Sequence, residues 1–105
     1  MKLLALLEKQ ATAAAGTAVD LLTSPALQGR NDAVARIDVS ADFNGQCKVQ
    51  VSSDNSNWTD ALVYPAAAGA EATPKMATID LAGRYVRGNF STRTAGTISI
   101  YLLVD

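Results

Sequence analysis

At 105 residues, 49% of them hydrophobic, the chain has the length of one domain with a single core that needs neither disulfide nor metal support. Nine basic and ten acidic residues leave a formal charge of −1, which gives no chain-wide attraction to nucleic acid or an anionic membrane. The sequence lacks histidine, the commonest metal ligand and general base, and its one cysteine, Cys47, can form no intrachain disulfide.

In chain order, Met1 to Gln10 followed by Ala11-Thr-Ala-Ala-Ala15 imitates a secretory signal. Its apolar core, Leu3 to Leu7, stops at Glu8 and Lys9, short of the roughly seven to fifteen residues such a signal needs. No stretch approaches the roughly twenty apolar residues of a membrane span. The expectation is an uncleaved chain whose two ends are held by the domain or by a neighbouring subunit. Leu3, Leu4, Leu6, Leu7 and the alanines up to Gly16 have good helix propensity, so residues 1–16 read as a short helix or an extended arm ahead of a domain at 17–105.

Thr17 to Leu22 reads as a first strand, and Thr23 to Asp32 as a loop with turn chemistry at Ser24-Pro25 and Gly29. Ala35, Ile37, Val39, Ala41 and Phe43 then alternate with Arg36, Asp38, Ser40 and Asp42, the pattern of a strand with one face in the core. Asn44-Gly45 predicts a type I′ hairpin joining the Ala33–Phe43 strand to a Gln46–Ser52 strand. In the latter, Cys47, Val49 and Val51 form the inner row, which makes Cys47 a small buried hydrophobe. Ser53 to Asn57 is a polar turn and Trp58 to Tyr64 the next strand; Pro65 to Pro74 is a small-residue loop. Lys75–Leu81, Arg84–Thr92 and Thr97–Val104 follow, punctuated by Ala82-Gly83 and Ala95-Gly96. Short strands at this spacing, six to eight in number, predict an all-β, antiparallel β-sandwich or jelly roll.

Few side chains suggest chemistry. Asp54 with Ser52, Ser53, Asn55 and Asn57 is a sparse oxygen set for a cation, and Asx-turn hydrogen bonding accounts for the same residues. Trp58 suits the core edge or a subunit interface, or a sugar platform together with Tyr64 or Tyr85. Arg84, Arg87 and Arg93 suit carboxylates of a neighbouring subunit, or partners within the chain such as Asp38, Asp42 and Asp80. Asn57-Trp-Thr59 and Asn89-Phe-Ser91 match the glycosylation sequon, read as chance without a secretory signal. There is no nucleophile elbow, phosphate-cradling glycine loop or paired carboxylate, so no catalytic residue, cofactor or metal is expected.

Two stretches carry a family likeness: Val49 to Trp58 with Thr59-Asp60, and Ala82-Gly-Arg-Tyr-Val-Arg-Gly-Asn-Phe90 leading through Thr94-Ala-Gly-Thr97. They resemble the small β-sandwich proteins of tailed bacteriophage virions, in which a Ser-x-Asp…Trp-Thr hairpin precedes an Arg-Tyr-Val-Arg strand. They also resemble discoidin-like, galactose-binding jelly rolls, which are usually longer and carry a cysteine pair. Asn55 and Ser56 stand where those domains commonly place Asp-Gly. The phage likeness implies a capsid decoration, or cement, protein assembled in the bacterial cytoplasm and carried on the virion exterior. Its partners would be the major capsid protein and copies of itself, most plausibly as a trimer, with no nucleic acid or membrane involved. Leu3, Leu4, Leu6, Leu7, Arg84, Arg87 and Arg93 are then the expected subunit or shell contacts. The alternatives are a carbohydrate-binding module of a tail or fibre, and a head–tail or tail component.

Overall fold

A computed structural model describes residues 2–24, 27, 31–81 and 83–104. Nine strands are found among them: β1 (Lys2–Gln10), β2 (Ala14–Ala15), β3 (Val19–Asp20), β4 (Asp32–Val39), β5 (Asn44–Ser52), β6 (Thr59–Ala70), β7 (Lys75–Asp80), β8 (Tyr85–Ala95) and β9 (Ile98–Val104). The first sheet runs β1-β9-β4-β7; the second runs β2-β8-β5-β6, with β3 also on β8. Every pairing is antiparallel, and the shortest dimension, 19 Å, is that of two stacked sheets. The fold is the expected β-sandwich, with a strand more than the upper expectation.

Alternation builds the core. Ala33, Ala35 and Ile37 of β4 and Ile98, Ile100 and Leu102 of β9 point inward from the first sheet. Cys47, Val49 and Val51 of β5 and Val86 and Phe90 of β8 meet them from the second. Phe43 and Phe90 pack at 5.8 Å between ring centroids, tilted by 44°.

The N-terminal segment is neither helix nor free arm. Residues 2–10 pair with β9 from Lys2↔Val104 to Gln10↔Ile98, and Met1 and Asp105 lie outside the described residues. Helix propensity loses here because a β bulge between Ala5 and Leu7 lets two consecutive leucines, Leu6 and Leu7, both enter the core. This is a correction to the division at residue 16: the leucines belong to the sandwich itself. Gly88 and Gly16 make room for them. A Cβ on Gly88 would stand 3.1 Å from Leu7 Cγ and 3.3 Å from Leu6 Cβ, and one on Gly16 2.8 Å from Leu7 Cδ2.

A second correction concerns Asn44-Gly45. Both residues lie inside β5, paired with Ala70 and Gly69 on β6, and β4 and β5 belong to different sheets. The chain crosses between sheets earlier, at Ser40–Phe43, where the Phe43 N–H donates to Ser40 O. The β8–β9 link crosses beside it: Ser40 N–H donates to Thr97 O, and Thr97 N–H to Ser40 Oγ. Gly45 is required not by a turn but because a Cβ there would collide with the Thr92 carbonyl. Boundaries shift elsewhere as well. Thr17–Leu22 shrinks to β3, and β6 runs on through Pro65 to Ala70. Pro25, Gly29 and Ala82, assigned to turns above, lie outside the described residues.

Three of the four sheet edges are broken, and the fourth, β7, is an unbroken run of six residues. β1 carries two bulges, and β2 and β3 are two residues each. In β6, Pro65 to Ala68 bulge out opposite the single residue Gln46, whose amide donates to Pro65 O and Ala66 O. Such interruptions oppose uncontrolled edge-to-edge pairing and leave the two outer faces as the continuous surfaces.

Gly96 sits in the left-handed region at φ 89°, and a Cβ on it would lie 2.6 Å from both Phe43 Cα and Ser40 Oγ. Gly96→Ala should therefore cost about 2–4 kcal/mol in urea denaturation, whereas Gly69→Ala should change stability by less than about 0.5 kcal/mol. Only Ala67 O, at 3.9 Å, lies near the added methyl at Gly69.

Candidate functional site

The two outer faces differ in chemistry. On the first sheet, cross-strand registers place Leu3, Leu103, Val34 and Thr78 in one outward row and Ala5, Tyr101, Arg36 and Met76 in the next. Leu3 and Met76 are 55% and 57% exposed. Arg36, ion-paired with Asp38 at 3.0 Å, stands within this face between Tyr101 and Met76 and interrupts its apolar character.

The outer face of the second sheet is polar and cross-linked. Gln50 lies at its centre, between Arg87 on β8 and Asp60 on β6. Its amide donates to Asp60 Oδ1 at 2.8 Å, and its carbonyl oxygen accepts from Arg87 Nε at 2.9 Å and Asn89 Nδ2 at 3.3 Å. Lys48 closes the group through Asp60 Oδ2 at 3.3 Å. The Gln50 hydrogen bond, then Lys48, holds the Asp60 carboxyl below the usual range. The Arg87 guanidinium stacks on the Trp58 ring, 4.2 Å from its centroid. Gln50 faces outward and is nonetheless 7% exposed, a burial that fits a lid formed by this stacked pair and the neighbouring side chains.

The hairpin between β5 and β6 aims Trp58 at this face. Asp54 Oδ1 accepts from the backbone N–H groups of Asn57 (2.8 Å) and Ser56 (2.9 Å) and from the Ser52 hydroxyl, while Oδ2 accepts from the Asn57 amide. Ser52 Oγ accepts in turn from Asp54 N–H and Asn55 N–H. Asn55 takes φ 62°, a conformation asparagine tolerates better than most residues. The Asp54 carboxylate is thus spent on its own loop, and those bonds, Asn57 N–H foremost, hold its pKa far below the ordinary value.

The expected site residues are dispersed. Leu3 is on the apolar outer face, Leu4 is half-buried against the core, and Leu6 and Leu7 are inside it, so the last two offer no outer surface for shell contact. The arginines do not pair with Asp38, Asp42 or Asp80. Arg84 bridges to Asp20 (3.0 Å) and lies 5.2 Å from the Tyr85 ring centroid; Arg93 donates to Gly96 O, bracing the β8–β9 link. The Arg84 hydrogen bond is also the main reason the Asp20 carboxyl is lowered. Trp58 and Tyr85 share the polar face, whereas Tyr64 packs on the core and donates its hydroxyl to Thr73 O. Gln50, Asn89, Lys48 and Asp60 were missed by sequence reasoning. Strand alternation places them outward, but only the pairing of β5 with β6 and β8 brings them together. Cys47 is buried, and desolvation pushes its thiol up to about 12, so it is no nucleophile.

Arg87→Ala should shift the emission of the lone tryptophan to the red and cost about 1–2 kcal/mol, because it removes both the stack and a Gln50 bond. The Asp54 pKa is lower folded than unfolded, so its stabilisation is fully present above about pH 4 and is lost as the pH falls further. An acid-denaturation series should accordingly show a shallower decline below about pH 4 for Asp54→Ala than for the parent.

No protein-family model matches the chain and no curated protein does, so the functional reading rests on its residues and their geometry.

Proposed function

We propose that the chain is a structural protein of a tailed-bacteriophage particle, of the capsid decoration type, which binds the assembled shell and bridges neighbouring capsomers. The observation that supports this reading is the outer face of the first sheet, where Leu3, Leu103, Val34 and Tyr101 adjoin across three strands and Met76 lies exposed beyond Arg36 on the fourth. A handful of such side chains gives one weak contact. Copies arranged about a symmetry axis, as in a trimer, multiply such contacts through effective concentration, and binding the assembled shell more tightly than its dissociated parts stabilises it by mass action. The two stretches that resemble phage proteins also form one physical unit. Val51 pairs with Val86, Ser52 with Tyr85, and Arg87 stacks on Trp58. The partners in this reading are the major capsid protein and further copies of the chain, and the location is the virion exterior.

A second reading, a carbohydrate-binding module of a tail or fibre, draws on the Trp58–Arg87–Gln50 network beside Tyr85. Glycan-array binding that disappears in Trp58→Ala while the circular dichroism is unchanged would favour it over shell docking.

Cryo-electron microscopy of virions from a phage encoding the chain should show its density on the capsid exterior; density confined to the tail would make it a tail or connector component instead. Leu3→Asp with Met76→Asp should lower shell occupancy by about tenfold or more, because each leucine-sized burial is worth about 1.5–3 kcal/mol. Point changes are the right probe, since deleting residues 2–15 would strip Leu6 and Leu7 from the core.

A further inference from the structure

The N-terminal strand is held in its slot through a tight corner. β1 pairs with β9 alone and then crosses to β2 in the other sheet through Ala11, Thr12 and Ala13, all exposed. Just before this crossing, within the register shift between Leu7 and Gln10, Lys9 adopts φ 48°, in the left-handed region that L side chains rarely enter. The corner is fastened by Lys9 N–H donating to Ser99 Oγ at 2.9 Å and by the Gln10 amide donating to Thr12 O and Oγ1. The slot itself is specific. It takes two adjacent leucines, and its shape is set by Gly88, Gly16 and the Ile100 side chain.

We propose that β1 is an exchangeable strand: residues 2–10 of one copy occupy the slot beside β9 of a second copy, reciprocally or around a closed ring. The occupant is argued from the slot, because its established ligand is this chain's own Leu6–Leu7 pair in a defined register with β9. In the exchanged form the same ladder and the same leucine seat are made between chains, and the strained corner at Lys9 is free to open. Leu3 and Ala5 then come from the neighbour, so the apolar outer face of the first sheet is assembled from two chains. This inference goes beyond the decoration reading and does not depend on it.

The test introduces Ala5→Cys and Tyr101→Cys, an outward pair directly opposed between β1 and β9. Cys47 can stay, being buried and unreactive. After refolding and oxidation, non-reducing gels should show covalent dimers or closed rings, in a fraction that rises from about micromolar to about millimolar protein. Inserting Gly-Ser-Gly-Ser after Thr12 should lower that fraction by about tenfold, since a longer link closes on its own chain without the corner. Intrachain bonds alone at every concentration would overturn the proposal. Should the cysteine variant fail to fold, light scattering of the unmodified chain and of the insertion variant decides. An oligomer that the insertion turns into a monomer supports exchange, and equal masses for the two overturn it.

Discussion

Two adjacent leucines enter one core from one strand, and much of the molecule is arranged to admit them. In a regular strand Leu6 and Leu7 would point to opposite sides. The bulge after Ala5 turns both inward, and the missing side chains of Gly88 and Gly16 leave the volume they fill. From that seat follow the placement of β1 beside β9, the outward position of Leu3 and the sharp exit at Lys9. Gly16 N–H also donates to Gly88 O, so the backbone that makes the space is pinned to the strand opposite.

The sheets then divide their outer surfaces. One is a largely apolar face crossed by an ion pair; the other is a polar lattice in which Gln50 satisfies three neighbours and Arg87 serves both a hydrogen bond and an aromatic ring. A glutamine amide is a good hub for such a lattice because it donates and accepts at once. Asp60 and Arg87, attached to its two ends, therefore face the group of matching polarity. The breaks at β1, β2, β3 and β6 complete the division, because a broken row of backbone groups opposes open-ended sheet growth.

What the sequence made legible were features written locally. The inner row Cys47, Val49, Val51 stands where alternation put it, and Ser53 to Asn57 is the turn its polar residues suggested. Alternation fails at β1 because a bulge breaks the period, and Leu-Leu-Ala-Leu-Leu has the composition of a helix. Asn44-Gly45 misleads for another reason. The glycine answers a backbone approach from Thr92, which is distant in sequence, and no local rule anticipates it. The Gln50 network was invisible for the same cause: Asp60, Arg87 and Asn89 reach Gln50 only once three strands are in register.

The excursion of β6 at Pro65 to Ala68 has one more consequence. These four residues face a single partner on β5, lie on an outside strand and add no side chain to the core cluster. Chain length there is decoupled from the ladder on either side, so the segment is a natural graft point. A foreign peptide spliced between Ala66 and Ala67 would therefore leave the β5–β6 ladder on either side and the core cluster in place, which makes the domain a scaffold for display.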